Sequence, residues 1–186
     1  NIYYNLIGLI DSISDPNTNT TAYQYDPMRR LSQVTTADKA VTKYQRNGVG
    51  KVTHIIHPDE DTTAITYDNF HLPSVVQHPG GYTEQFSRDN ERNLTEYTNA
   101  NGEVTQIRYN NKYQVDSVEH ANGHIYTFDR DPNGRVVEMS NNHGTTTIQR
   151  NLLGRMNQVT DPFNNVLQFG YDGEGRVVYL VYPGND

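Results

Sequence analysis

Three histidines recur at one position of a repeated pattern and are the first candidates for metal chemistry. His57, His78 and His120 each lie eleven residues past a repeated Tyr or Arg. Zinc accepts imidazole ligands, but its ligand atoms must lie within about 4 Å of one another. If each repeat is a β-hairpin, equivalent positions of successive repeats lie about 9.6 Å apart. We therefore predict that these histidines bind no metal and lie in solvated turns.

Two groups of carboxylates have the residue types needed for acid–base catalysis or calcium binding. Asp59, Glu60 and Asp61 are consecutive, and Asp172 lies two residues before Glu174. Paired carboxylates can exchange protons with a substrate or bind Ca²⁺. However, the first group lies in a turn without a glycine-spaced ligand loop, and Asp172 occupies a position that recurs in every repeat. We therefore expect these carboxylates to be structural.

The remaining chemistry is limited by composition. The chain has no cysteine, so it has no thiol nucleophile, thiolate metal site or disulfide. It contains no Gly-x-Ser-x-Gly motif, phosphate-binding loop or dinucleotide fingerprint. A net charge of −7 disfavours nucleic acid as a partner, and no segment approaches the 18 apolar residues of a membrane-spanning helix. We predict that the protein is not an enzyme and has no catalytic residue, no cofactor, no metal, no nucleic-acid partner and no membrane insertion.

A period of 21 residues organises the whole chain. Nine units begin at an aromatic or basic anchor, and each anchor is followed by Asp or Asn. Periods of 20–50 residues are the signature of repeat architectures. The step from Arg130 to Arg150 is 20 residues, which predicts a local bulge or a tightened turn there. The alternation of Tyr and Arg among the anchors also predicts one mixed ladder of side chains. The anchors are Tyr4, Tyr25, Arg46, Tyr67, Arg88, Tyr109, Arg130, Arg150 and Tyr171.

Each unit reads as two short strands joined by two tight turns. The residue two before the anchor is always aromatic or β-branched, and its neighbours alternate with mostly polar residues, which is typical of a strand. The Asx after the anchor favours a turn. In five units a glycine follows four residues past the anchor, where a positive φ is expected. These glycines are Gly8, Gly50, Gly134, Gly154 and Gly175.

The second strand leaves one question open. Mostly aliphatic residues stand six and nine positions past the anchor, as Leu31 and Val34 do. An ideal strand would place two residues with this spacing on opposite faces. Either both faces are partly covered or a β-bulge shifts the register. The apolar content of 34% is low, but fourteen Tyr and five Phe, many at fixed repeat positions, favour a folded all-β array over disorder.

The pattern aromatic-x-Tyr-Asp-x-x-Gly-Arg-Leu/Val resembles the YD repeat of the Rhs family over essentially the whole chain. Phe169 to Val177 matches it fully, and the segments around Tyr25 and Asp131 match it closely. The family includes bacterial Rhs polymorphic toxins, the B and C subunits of insecticidal toxin complexes, and the teneurins. The resemblance assigns a structural repeat signature to Tyr25, Asp26, Tyr67, Asp68, Asp131, Gly134, Arg135, Gly154, Arg155, Tyr171, Asp172, Gly175 and Arg176.

The resemblance implies a curved, spiralling single-layer sheet of about nine antiparallel β-hairpins, a segment of a hollow shell. Residues 1–186 are then a single repeat array and a fragment of a longer shell. The expected function is a wall segment that encapsulates a C-terminal toxin or other cargo. The alternative is a cell-surface adhesion or carbohydrate-binding repeat module. The expected partners are the rest of the shell, the enclosed toxin cargo and other copies through the sheet edges. The expected location is secreted or cell-surface after bacterial export.

Overall fold

The computed structural model describes residues 1–182 and Gly184, and these form eighteen β-strands in two compact units. The first unit comprises Asn1–Ser87 and Thr98–Gly102, and the second comprises Arg88–Tyr97 and Glu103–Asp186. The all-β hairpin class predicted from the sequence is confirmed. Whether residues 1–186 behave as one domain stays a prediction. Within the described residues, the one helical segment is a 3-10 turn at Pro79–Gly81, and no helix is long and apolar enough to cross a membrane.

Strands of the first unit follow one another as an antiparallel meander, each paired with the next. Most strands have five or six residues. The strands are β1 (Ile2–Tyr4), β2 (Ile10–Ser14), β3 (Thr20–Tyr25), β4 (Leu31–Thr35), β5 (Val41–Arg46), β6 (Val52–Ile56), β7 (Thr62–Tyr67), β8 (Pro73–Gln77) and β9 (Thr83–Arg88), of which the last residue falls in the second unit.

The second unit repeats the same connectivity, with antiparallel ladders that join consecutive strands from β11 to β18. Its strands are β10 (Leu94–Thr98), β11 (Val104–Tyr109), β12 (Val115–Glu119), β13 (Ile125–Arg130), β14 (Val136–Asn141), β15 (Gly144–Arg150), β16 (Met156–Thr160), β17 (Val166–Tyr171) and β18 (Val177–Val181).

A β-bulge at the anchor settles the open question about the second strand. In the β3–β4 hairpin, Gln24 pairs with Gln33, and the next pair is Tyr25 with Leu31. One residue of the second strand is therefore unpaired, which moves Leu31 onto the same face as Val34. The same register shift precedes the anchor in eight hairpins. One face of each unit thus collects the apolar residues of both strands.

Cross-strand pairs on this face join the aromatic or β-branched residue of one strand to the aliphatic residue of the next. Tyr23 pairs with Val34, and Phe128 pairs with Met139. Such pairs are the unit of sheet stabilisation. Among the described residues no hydrophobic side chain is fully buried. Each unit is therefore a one-layer sheet whose stability depends on contacts between neighbouring strands.

Most turns at either end of the hairpins share one hydrogen-bond pattern. In the turn that begins at Asp26, the Arg29 N–H donates to the Asp26 carbonyl at 2.9 Å, and the Asp26 N–H donates to the Arg30 carbonyl at 2.8 Å. The fourth residue, Arg29, has a φ of 63°. This is a type I turn followed by a bulge residue in the left-handed region, a common hairpin connection.

The 20-residue step arises from a shortened turn rather than from a bulge in the strand. Only Asn142 and His143 separate β14 from β15, where Asn141 pairs directly with Gly144. The corresponding connection between β2 and β3 has five residues, Asp15 to Asn19. The deletion lies at the end of the hairpin opposite the anchor. The anchor Arg150 therefore still reaches the preceding hairpin, where it bonds the Val136 carbonyl.

Candidate functional site

The feature with the most defined chemistry is the junction between successive hairpins, which we call the repeat junction. Each junction is built from the anchor, the Asx after it, the fourth residue of the turn and the basic or amide residue that follows. The Tyr25 hydroxyl donates to the carbonyl of Ile10, fifteen residues earlier, at 2.9 Å. The Tyr67 hydroxyl does the same to Val52 at 2.6 Å. Tyr109 and Tyr171 repeat this bond to Leu94 and Met156.

The accepting carbonyl lies outside the strand ladder. Strands β2 and β3 pair only from Ser12 to Ser14, so Ile10 is not among the residues paired with β3. A half-buried carbonyl without a donor costs about 1–3 kcal/mol. The anchor supplies that donor from the next repeat. The bond thereby holds two hairpins together where their backbones no longer pair.

Arginine anchors perform the same task with two donors. Arg46 donates from Nη2 to the Leu31 carbonyl at 3.0 Å and from Nη1 to the Gly50 carbonyl of its own turn at 3.2 Å. Arg130 repeats both bonds. Arg150 reaches Val136, fourteen residues earlier, so the junction survives the one-residue deletion. The Tyr and Arg anchors therefore form one hydrogen-bonded ladder within each unit.

An arginine anchor makes a second hydrogen bond but also buries an N–H group that has no partner. The Nε atoms of Arg46, Arg130 and Arg150 are buried and have no hydrogen-bond partner in the described part of the chain. Tyrosine leaves no such group, because its single hydroxyl is used. Compared with a Tyr anchor, an Arg anchor therefore gains one hydrogen bond and loses the hydration of one N–H group.

The Asx of the signature closes the turn with its side chain. Oδ1 of Asp131 accepts the backbone N–H of Arg135 at 3.0 Å, and Oδ2 accepts Nε of the same arginine at 2.7 Å. Asp26 makes the same pair of contacts with Arg30. Oδ1 of Asp68 accepts hydrogen bonds from the backbone N–H groups of Phe70 and Leu72. The backbone N–H of Arg135 and then its side chain lower the pKa of Asp131.

The acidic pair Asp172 and Glu174 is bridged by one arginine. Arg176 donates Nε to Asp172 at 2.7 Å and Nη2 to Glu174 at 2.6 Å. Hydrogen bonds from the Arg176 side chain and then its backbone N–H lower the pKa of Asp172. Asp172 is thus held as an anion, and Glu174 shares its arginine partner in the same turn. This geometry fits a structural role.

A side chain of one repeat lies over the glycine of the next. The Arg135 guanidinium occupies the space that a Cβ on Gly154 would need, and Arg155 does the same at Gly175. The Gln114 amide takes this place at Gly134 and donates to the Gly134 carbonyl at 3.2 Å. Two features therefore favour glycine at this position: its φ is positive, and a neighbouring side chain occupies the space of a Cβ.

The residue at this turn position follows the type of side chain in the preceding repeat. Glycine stands there wherever the side chain 19 or 20 residues earlier is Arg or Gln, as in the pairs Arg30–Gly50, Gln114–Gly134, Arg135–Gly154 and Arg155–Gly175. A larger residue with positive φ stands there when the earlier residue is Leu, Lys or Asn; these are Arg29, His71, Arg92 and Tyr113. Sequence reasoning missed this relation, although the co-occurrence 20 residues apart could have indicated it.

The histidines at the second turns have separate polar partners. His57 Nε2 lies 2.9 Å from Thr63 Oγ1, and His78 Nε2 lies 3.0 Å from Glu84 Oε2. Both residues are partly buried, whereas His120 is exposed. That the three histidines lie in solvated turns and bind no metal stays a prediction. Within residues 1–182 and Gly184, no three His, Asp or Glu side chains are placed to hold a metal ion.

Comparison with known proteins gives a fold for the chain and a repeat profile that matches part of it. The family profile described as RHS Repeat matches residues 4–41. No curated protein sequence matches the chain. A chain in the structure of the Photorhabdus luminescens Tc holotoxin pore with the mutation TccC3-D651A superimposes with a TM-score of 0.64 at 12% identity, covering 97% of this chain and 13% of that chain.

A second solved structure gives the same result. A chain of the TcdB2-TccC3 crystal structure superimposes with a TM-score of 0.56 at 12% identity, over 98% of this chain and 13% of that chain. The protein described here therefore spans about an eighth of the chains that it matches. At this identity the similarity shows the fold, and it confirms the resemblance inferred from the repeated motif.

Proposed function

We propose that the chain, whose repeated motif resembles the Rhs/YD-repeat family and whose residues 4–41 match the RHS Repeat profile, is a wall segment of a shell that encapsulates a C-terminal toxin or other cargo. Its role is structural and non-catalytic. Its partners are the remainder of the shell and the enclosed cargo, and its edges can also pair with other copies. The complete protein is exported by a bacterium to the exterior or to the cell surface.

The observation that carries this proposal is the superposition of 97% of the chain on a Tc holotoxin chain. The repeat junction supports it further. Neighbouring hairpins are joined by anchor bonds, as at Tyr25 and Arg150, and four of the turns are also covered by a side chain of the preceding repeat, so stability accumulates along the array without a second layer. The signature side chains take part in these contacts, as the Asp131–Arg135 pair does. Such a sheet is suited to forming an extended wall.

Protease protection of the complete gene product tests encapsulation. We expect the segment that follows the array to resist digestion in the intact protein and to be digested at once when it is expressed alone. Loosening the wall with Gly154→Ala should shorten the protection more than Gly123→Ala, which strains a turn without displacing a side chain. Equal digestion of the enclosed and the isolated segment would contradict encapsulation.

The competing adhesion hypothesis predicts a different result. A carbohydrate-binding module would bind immobilised glycans through the 186-residue chain itself. We expect no saturable binding on a glycan array. Saturable binding that is lost after substitution of an exposed tyrosine such as Tyr113 would replace encapsulation with adhesion.

A further inference from the structure

Two histidines lie side by side next to the shortened turn of the second unit. That turn, between β14 and β15, ends at His143, and His124 directly precedes β13. Continuing the register in which Thr127 faces Ser140 places His124 opposite His143. The centroids of the two imidazole rings lie 5.3 Å apart, and the ring planes are tilted by 41°. We call these two residues the histidine pair.

The rings of the histidine pair have no other polar partner in the part of the chain that the structure describes. The ring nitrogens of His124 and His143 make no hydrogen bond or ion pair there, and only their backbone N–H groups donate, to asparagine side chains. By contrast, the ring nitrogens of His57, His78 and His120 each lie against a polar side chain of a neighbouring strand. Each neutral ring of the pair therefore keeps one nitrogen lone pair available for a ligand.

The separation of the two rings is the one that a shared metal ion requires. Zn²⁺ binds an imidazole nitrogen at about 2.0–2.1 Å, which puts the ring centroid about 3.2 Å from the metal. Two imidazoles bound at the tetrahedral angle then have their centroids about 5.2 Å apart. The observed 5.3 Å meets this condition without movement of the backbone. What remains is a rotation of each ring about its side-chain bonds to aim one nitrogen at the ion.

Asn142 fixes the two backbone segments that carry the histidine pair. Its Oδ1 accepts the N–H of Ile125 at 3.2 Å, and its Nδ2 donates to the Gly123 carbonyl at 3.2 Å. These two residues lie on either side of His124, and Asn142 directly precedes His143. One side chain thus ties together the turns that the two histidines occupy. A site held in this way needs little reorganisation to bind a ligand.

We propose that the histidine pair binds a first-row transition-metal dication, Zn²⁺ in the first place, with water in the remaining coordination positions. Imidazole nitrogen is a preferred ligand of Zn²⁺, Ni²⁺ and Cu²⁺, whereas Mg²⁺ and Ca²⁺ require oxygen ligands. No third His, Asp or Glu side chain is placed to join the pair within the described residues. The site is therefore weaker than a centre with four protein ligands.

This site departs from the sequence-based expectation that the protein has no metal. That expectation concerned histidines at one repeat position, about 9.6 Å apart in successive repeats. His124 and His143 occupy different repeat positions and meet across neighbouring strands beside the shortened turn. The site lies within the second unit and is built from contacts inside it, so it does not depend on encapsulation.

Isothermal titration calorimetry of the untagged chain with zinc chloride tests the site. We expect one Zn²⁺ per chain and no binding of Mg²⁺. His124→Ala and His143→Ala should each weaken Zn²⁺ binding at least about tenfold, the loss that follows removal of residues that only orient a metal ligand. The matched control is His54→Ala, an exposed strand histidine of the first unit, which should bind Zn²⁺ like the unmodified chain. Equal affinity of the pair variants and the unmodified chain, or no Zn²⁺ binding at all, would overturn the proposal.

Thermal unfolding gives a second readout that does not depend on stoichiometry. An ion held by His124 and His143 links two neighbouring hairpins, so Zn²⁺ should raise the unfolding midpoint of the unmodified chain in a concentration-dependent way. Both pair variants should unfold normally without Zn²⁺ and lose this increase, whereas His54→Ala should retain it. If Zn²⁺ raises the midpoint of the pair variants as much as that of the unmodified chain, the ion binds elsewhere and the proposal is wrong. None of these outcomes bears on the protease-protection test of encapsulation.

Discussion

Alanine at a covered glycine should cost more stability than alanine at an uncovered glycine with the same backbone conformation. Gly154 and Gly123 lie in the same unit and have φ values of 81° and 78°. A methyl group on Gly154 would overlap the Arg135 guanidinium, whereas the same position at Gly123 has no atom within 4 Å. The pair therefore separates backbone strain from displacement of the neighbouring side chain.

The magnitudes follow from these two contributions. A non-glycine residue in the left-handed region costs about 1–2 kcal/mol, so Gly123→Ala should destabilise the second unit by about that amount. Gly154→Ala incurs the same strain and also displaces the guanidinium of Arg135, which is the end of a flexible side chain that is 38% exposed, so the additional cost is at most about 1 kcal/mol. In the Arg135→Ala background this second contribution should disappear, because no side chain remains to be displaced.

Urea unfolding followed by far-UV circular dichroism measures the free energies of unfolding of the four proteins. The expected coupling between Gly154→Ala and Arg135→Ala is at most about 1 kcal/mol, and Gly123→Ala should show none with Arg135→Ala. If Gly123→Ala and Gly154→Ala lower the free energy of unfolding equally, the Arg135 side chain is not a reason for glycine at position 154. The same conclusion follows if the cost of Gly154→Ala is unchanged in the Arg135→Ala background.

Three other predictions concern the anchor, the Asx and the turn. Tyr67→Phe should lower the free energy of unfolding by about 1 kcal/mol, because the Val52 carbonyl loses its donor. Tyr67→Arg should lose less, because arginine can donate to the same carbonyl. Equal losses of both variants in urea unfolding would contradict the equivalence of Tyr and Arg at the anchor. Because the pKa of Asp131 is lowered in the folded state, its contribution to stability is present above the unfolded-state pKa and is lost as pH falls through the folded-state pKa. Asp131→Asn should therefore reduce the loss of stability that the protein shows below about pH 4. Free energies of unfolding measured at several pH values test this. His71→Gly should raise the free energy of unfolding by about 0.5–1 kcal/mol because it relieves a φ of 60°, and a lower thermal midpoint would exclude this.

Much of the fold followed from the repeat itself. The residues two before each anchor, such as Tyr23 and Phe128, indicated strands through their type and their alternation with polar neighbours. The Asx after each anchor and the glycine at Gly134 or Gly154 located the turns. These signals are local, because a turn or a strand depends mainly on residues within a few positions of one another. The hairpin class, the strand number and the resemblance to the Rhs repeat could therefore be obtained without coordinates.

The contacts between repeats needed the tertiary structure. The sequence showed that Tyr and Arg exchange at the anchor, but not that both donate to a carbonyl fifteen residues earlier, as Tyr25 does to Ile10. It placed Arg135 beside Gly134, but not over Gly154 of the next turn. Both contacts depend on the β-bulge, which sets the face of each residue and leaves the accepting carbonyl outside the ladder. Periodicity identifies which positions recur, whereas the atoms that meet are decided by how neighbouring hairpins are placed in space.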